Sequence, residues 1–382
     1  MIYWIKQHWK GMVIITDKYE KRVERLTDSL DMDAVVITDP TNVFYFTGCF
    51  IEPHERLLAL IIDVKTKETV LMYPALDQEI VNDSATVTNQ LPHNDGEDPF
   101  ELLFEHLDQA QAQSIGIEGG HMIYDRYQRL LDNYTAEQIQ SADKEINVLR
   151  GRKDEDDKEK LQEAVDITEK ALADLVNGPV SGKTEKEIAD FLLQKVKEYG
   201  AVDVSFGPLV LAGENSALPH GESGDTAVQP GDFLLIDFGV VTKDRYVSDM
   251  TRTFIIGEPT EEQEAIYKSV LKANEAGIRQ SQLGEQMNAL DKVARDEIKS
   301  DGYGEYFTHR IGHGLGLGLH ERPSLDAQNT DKLEKGHVIT IEPGVYKAGY
   351  GGVRIEDMLY IDDTTYVFTS FPKDIDSITI EV

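Results

Sequence analysis

A single cysteine, Cys49, among 382 residues excludes an internal disulfide and fits a reducing compartment. Its ordinary reading is a small buried hydrophobe. Positive charge is scarce as well. Against 70 acidic residues stand 38 Lys and Arg, a net charge of -32, which argues against nucleic acid as a partner. Long hydrophobic runs are missing too. The opening stretch MIYWIKQHWKGMVIIT is apolar, but Lys6, His8, Lys10 and Gly11 interrupt it before a signal-peptide core can form. No later stretch reaches the length of a membrane span. The expectation is a cytoplasmic protein with a strongly acidic surface, a short leader and no membrane partner. Low-complexity segments and repeats at solenoid period are also absent.

What remains is a chain with 40% hydrophobic residues, enough for two ordinary domains or one very large one. Residues 12 to about 145 alternate strand-like and helical segments, as an α/β domain does. AVVIT, LLALIID, TVLMY and SIGIE read as buried strands, with helices near 75–82, 98–109 and 123–132. Tyr19, Val23, Leu26 and Leu30 mark a further helix face. The charge run RGRKDEDDKEK then reads as a solvated linker and first helical turn. We therefore divide the chain into domains 1–145 and 146–382.

The second domain opens with a helix whose apolar face is Leu161, Val165, Leu172 and Val176, stopped by Asn177-Gly178-Pro179. Capping boxes at Thr184/Glu187 and Thr260/Gln263 start two more helices, and a fourth covers 284–300. Between and after them lie DFLLIDFGVV, RYVSDMTRTFII, HVITIEPGVY and VRIEDMLYI, which predict a largely antiparallel sheet.

Those strands carry charge where charge is expensive. Asp237, Asp249, Glu342 and Glu356 sit in otherwise apolar segments, and an unpaired buried carboxylate is costly. Asp237 and Asp249 flank a turn around Thr242-Lys243-Asp244, so a hairpin would bring them to one site. His313 lies among Gly312, Gly314, Gly316 and Gly318, which are expected to let the backbone approach a ligand. Taken singly, each residue has an ordinary reading: a strand-end carboxylate, a partner for Arg354, a satisfied loop histidine. Together they form an oxygen-rich set suited to two hard or borderline divalent ions.

The order Asp237, Asp249, His313, Glu342, Glu356 resembles the pita-bread metallopeptidases, a family of prolidases, aminopeptidase P, methionine aminopeptidases and metal-free creatinases. The resemblance covers nearly the whole chain. Intervals of 29 residues from His313 to Glu342 and 14 from Glu342 to Glu356 match its proline-specific branch. The Asp237–Asp249 interval is one residue longer than family members commonly have, read as an extra turn residue. The implied fold is an α/β amino-terminal domain joined to an α+β pita-bread (creatinase/aminopeptidase) domain with a curved, largely antiparallel sheet.

The same resemblance carries roles onto named positions. It implies two divalent ions per subunit, Mn(II) foremost with Co(II), Zn(II) or Fe(II) as alternatives. Asp249 and Glu356 would bridge them, Asp237 would complete one, and His313 with Glu342 the other. A hydroxide held between them would attack the scissile carbonyl, with Glu342 as proton shuttle. His220, His309 and His320 match catalytic-site histidines, and Arg354 an arginine that orients the ligating carboxylates. For the proline carboxylate of an Xaa-Pro dipeptide, Arg322 and Arg56 are the arginines considered. In dimeric members the segment TNVFYFTGCFIEPHERLL approaches the partner's active site, so Glu52, His54 and Arg56 are expected to border it in a homodimer; the plainer reading is a strand-loop-strand connection. The implied function is Xaa-Pro dipeptide hydrolysis. The alternatives are aminopeptidase P acting on longer peptides, a non-catalytic pita-bread binding protein, and a metal-free hydrolase using His220.

Overall fold

The computed structural model describes residues 18–381; the apolar leader read above lies outside the described residues. Two compact units divide at Arg150/Gly151 in the chain. In the first, helix α1 (18–27) precedes β1 (Ala34–Ile37), α2 (Pro40–Thr47), β2 (Ala59–Asp63), β3 (Thr69–Pro74), α3 (Gln78–Ser84) and β4 (Asn89–His93). Then follow α4 (Pro99–Gln109), β5 (Ile115–Ile117), α5 (Tyr124–Leu130), β6 (Ile139–Ser141) and α6 (Asp143–Gly151). The strands form one mixed sheet in the order β4-β3-β2-β1-β5-β6. β2 runs antiparallel to both its neighbours, and the other pairs are parallel. The four expected strands are there because their residues are apolar throughout, as strands covered on both faces must be.

In this unit α2, β4, β6 and α6 lie outside the sequence reading. The segment read as a plain connection contains α2, which Asp39 caps by accepting from the Thr41 N–H and which Gly48 ends in the left-handed conformation. β4 is an edge strand of sequence NQLPH, mostly exposed, so it lacks the apolar signal by which the four expected strands were recognised.

The second unit begins with α7 (Glu155–Val176), α8 (Glu185–Glu198), β7 (Asp203–Val204), β8 (Leu209–Ala212), β9 (Phe233–Phe238), β10 (Val240–Val241) and β11 (Met250–Ile256). It continues through α9 (Glu261–Gln280), α10 (Met287–Ser300), β12 (Gly312–Gly314), β13 (Glu321–Leu325), β14 (Val338–Ile341) and β15 (Gly344–Lys347). β16 (Gly351–Arg354), β17 (Asp357–Tyr360), β18 (Tyr366–Val367) and β19 (Thr379–Ile380) complete it. Its two larger sheets have the orders β19-β11-β9-β8 and β13-β12-β14-β17-β18, and neither closes on itself. All their pairings are antiparallel except β11 with β19. This is the α+β arrangement of the pita-bread domain.

Both expected capping boxes form, and Asp154 with Asp157 makes a third at the start of α7. On α7, Leu161, Val165 and Leu172 are fully buried; Leu175 takes the place expected of Val176. Among the described residues no helix is long and apolar enough to cross a membrane.

Because α9 starts on a reciprocal Thr260–Gln263 box, Thr260→Ala should cost about 1 kcal/mol and lower the unit's melting temperature by roughly 2–4 °C. Differential scanning calorimetry reads the shift; an unchanged transition would mean the cap contributes nothing to folding.

Candidate metal centre

β9 and β11 pair without a break from Phe233↔Ile255 to Phe238↔Met250, which sets Asp237 opposite Thr251 and leaves Asp249 immediately before β11. The additional residue between the two aspartates is therefore absorbed outside the ladder. A turn at 242–246 closes that segment through the Arg245 N–H to the Thr242 carbonyl and the Thr242 N–H to Tyr246.

His313 occupies the middle of β12, between β13 and β14. A Cβ on Gly312 would lie 2.0 Å from the Thr340 carbonyl oxygen, and one on Gly314 would lie 2.3 Å from that of Arg322. These glycines are required for close strand packing on either side of the histidine, rather than for the approach of a ligand. The His313 Nδ1 lies 3.1 Å from the Gly314 carbonyl, so the proton belongs on Nδ1 and Nε2 is turned to the site. That nitrogen is 3.5 Å from both Asp249 Oδ2 and Glu342 Oε1. Glu342 follows β14 directly, and Glu356 lies between β16 and β17, its Oε2 accepting from Thr251 Oγ1 at 2.8 Å.

Asp249, His313 and Glu356 are buried and offer ligand atoms within 4.8 Å of one another. Among the described residues, Asp237 Oδ1, Asp249 Oδ1 and Glu356 Oε1 are buried oxygens with no hydrogen-bond partner. Such atoms ordinarily find one. A divalent cation fits them, since hard carboxylate oxygens with one imidazole suit such an ion. The electrostatics point the same way. Burial pushes Asp237 up to about 6, with Asp249 adding to the rise and Arg354 opposing it. Glu342 is pushed up to about 7 by burial, against the pull of His313 and Arg354. Glu356 is raised well above the carboxylate range by burial and then by Asp249 and Glu342. For His313, burial disfavours the charged form, but Asp249 and Glu342 outweigh it and the net direction is up.

A hydrogen-bonded chain lies beside this cluster. Arg354 donates to Asp237 Oδ2 at 2.5 Å, to Thr251 Oγ1 at 3.0 Å and to Tyr346 Oη at 2.8 Å. Tyr346 in turn lies 2.9 Å from His309 Nε2, and His309 Nδ1 lies 2.8 Å from the Arg310 carbonyl. Burial holds the His309 pKa down to about 4, so its imidazole is neutral and the Tyr346 hydroxyl donates to it. Sequence reasoning passed over Tyr346. Its only signal was its place four residues after Glu342, in TIEPGVY.

All five predicted ligands line one cavity of about 550 Å³, joined by Arg354, His309, His220 and His320. Phe206, Leu209, Pro219 and Leu319 supply its apolar wall. The His320 ring stands 4.4 Å from that of His313, and burial, then the charge of His313, holds its pKa below the usual value. Glu321 braces the loop between them, accepting from the Leu317 and Gly318 N–H groups and pairing with Lys153 at 3.0 Å. Arg322 is exposed and lies outside this lining; it falls where the β12–β13 register shifts, between the partners of His313 and Gly314. Arg310 is on the lining instead, donating to Ser324 Oγ at 3.0 Å. Arg56 belongs to the first unit, where Glu55 and Asp95 pair with it. His54 is in that unit too, exposed and with a φ of 54°.

Comparison with known proteins agrees with this geometry. Residues 159–363 match the model of metallopeptidase family M24, and residues 21–151 match the creatinase/prolidase N-terminal domain. An uncharacterized peptidase of Staphylococcus aureus is 38% identical over 356 residues, covering 92% of this chain and 99% of that protein. The Xaa-Pro dipeptidase from Bacillus anthracis superposes with a TM-score of 0.88 at 29% identity, covering 95% of this chain and 100% of the other. The X-Pro aminopeptidase from Thermotoga maritima MSB8 follows at 0.84 and 29%, covering 94% and 100%.

The raised carboxylates give a pH signature. A carboxylate whose folded pKa lies above its unfolded value favours folding at low pH, and that contribution is lost as the pH rises through the folded value. For Asp237 and Glu342 the loss runs through about 6 and about 7. A divalent ion competes with those protons, so the rise in melting temperature on adding Mn(II) to chelator-stripped protein should grow between about pH 5 and pH 7.5. A pH-independent rise would rule these carboxylates out as the ion's ligands.

Proposed function

Because the chain belongs to metallopeptidase family M24, in its pita-bread proline-specific branch, we propose that it is an Xaa-Pro dipeptidase. The observation that carries this reading is the cavity itself. It combines five metal-suited side chains, three buried carboxylate oxygens without partners, and an arginine on the same wall. Asp237, Asp249, His313, Glu342 and Glu356 would hold two divalent ions, of which Mn(II) suits the oxygen-rich set best. When bound, the ions supply a nucleophile from water near neutral pH and polarise the scissile carbonyl.

The chain's own residues account for the rest. Glu342, on the cavity wall beside the other four metal-suited side chains, is placed to take up a proton and pass it to the leaving nitrogen. His220 and His320 line the cavity and suit the role of donors to the oxyanion that develops on the carbonyl. Arg354 fixes Asp237 from behind, and Tyr346 with neutral His309 fixes Arg354. An Xaa-Pro bond lacks the N–H that general peptidases grip, so recognition has to come from the termini and the ring. Arg310 makes no ion pair among the described residues, and a guanidinium takes a carboxylate in two-point geometry. It replaces Arg322 as the partner of the proline carboxylate, and the apolar wall of Phe206, Leu209 and Leu319 suits the pyrrolidine ring. The likeness to an X-Pro aminopeptidase keeps a longer peptide as the second reading.

Chelator-stripped protein given Mn(II) should release proline from Ala-Pro and leave Ala-Ala and Ala-Pro-Ala intact; preference for the tripeptide would establish the aminopeptidase instead. Glu342→Gln should lower kcat on the order of 10²- to 10⁴-fold. Arg310→Met should raise KM for Ala-Pro by roughly tenfold or more yet leave KM for the amide Ala-Pro-NH2 unchanged. Equal effects on both substrates would exclude Arg310 as the carboxylate's partner.

A further inference from the structure

The predicted ligands lie on or directly beside strands of different sheets, and the side chains that fasten those strands together are not among the residues that line the cavity. Asn274, on α9, is fully buried. Its amide Nδ2 donates to the carbonyls of Ile341 at 3.1 Å and Ile355 at 3.2 Å. Each carbonyl belongs to the residue directly before a predicted ligand, Glu342 in one case and Glu356 in the other. Lys373 donates to Asn274 Oδ1 at 2.7 Å and to Asp357 Oδ2 at 2.5 Å, so the amide cannot flip without losing a charge-assisted bond. Asp357 also accepts from Arg252, a side chain with no solvent exposure, at 2.8 Å. Arg252 donates to the Glu356 carbonyl at 2.6 Å and to that of Thr251 at 2.9 Å. The four side chains form one connected network, and besides the Phe371 carbonyl, which Arg252 also holds, the backbone carbonyls it grips belong to Glu356 or to residues within two positions of a predicted ligand.

We propose that Asn274 is a positioning residue for the metal centre: by holding the Ile341 and Ile355 carbonyls with its two amide hydrogens, it sets the separation of Glu342 and Glu356 and thereby metal affinity. The inference rests on the reading of those glutamates as ligands. A helix residue is well suited to the task, because α9 spans both strand ends and its own backbone bonds are internal to the helix. The arrangement also explains a polar side chain at a position whose helix neighbours Val270 and Ala273 are core residues. With an aliphatic residue there, the two carbonyls would lose this donor and Lys373 would keep only Asp357. Lys373 acts at one remove, by orienting the amide.

The test is calorimetric titration of chelator-stripped protein with Mn(II), which reads affinity and stoichiometry without substrate. Asn274→Leu removes the two donors, and Asn274→Asp removes them while keeping the shape. Both should weaken Mn(II) on the order of 10- to 100-fold, the range for residues that orient metal ligands. Lys373→Met should show a smaller loss. Val270→Ala, which trims the same helix's buried face, should lower the melting temperature without changing the Mn(II) dissociation constant. Should Asn274→Leu fail to fold, Asn274→Asp and Lys373→Met carry the test. Parent-like titrations for all the Asn274 and Lys373 variants that fold would overturn the inference alone. An equal loss in Val270→Ala would also overturn it, by showing that loosening α9 is enough. No binding by the parent chain would overturn the metal reading and the inference together.

Discussion

The whole second unit is organised around a repulsion. Four carboxylates are gathered within or directly beside buried strands, where their charges are poorly screened and poorly solvated. Left to themselves they would take up protons or force the strands apart, and the raised positions of Asp237, Glu342 and Glu356 record that tendency. The protein offsets the repulsion in part with its own groups: Arg354 on Asp237, Thr251 on Glu356, and the His313 imidazole between Asp249 and Glu342. It leaves three oxygens unmatched. A charge arrangement that is unfavourable without a cation and favourable with one is what a binding site requires.

Much of this was legible in the sequence because the determining interactions are local or strongly patterned. The capping boxes at Thr184 and Thr260 are four-residue motifs, and the buried strands of both units are predominantly apolar. The ligand set stood out because acids recur where acids are costly, and its order and intervals matched the proline-specific branch. β4 was missed because an exposed edge strand carries no apolar signature, and α2 because its capping aspartate precedes a run of aromatics that reads equally well as a strand.

The residues that organise the site from outside were the least legible. Nothing in the local sequence distinguishes Asn274 from any polar residue on a helix, since its partners are 67 and 81 positions away. Arg252 and Tyr346 have the same character. Likewise Arg322 and Arg310 are both arginines near histidines, and only the folded strands decide which faces the cavity. Sequence pattern identifies groups that need a partner; it does not identify the groups that hold them still.

The distance along the chain between Asp237 and Glu356 carries a consequence for how the centre comes into being. No two adjoining elements suffice to build it, because β9 and β11 must pair and the β12–β14–β17 sheet must form before the donors converge. Contacts of such long sequence separation are slow to make. An unfolded or half-synthesised chain therefore presents scattered acids with little hold on any one ion. Affinity for the cation is a property acquired at the end of folding, and once acquired it draws the equilibrium toward the finished structure by mass action.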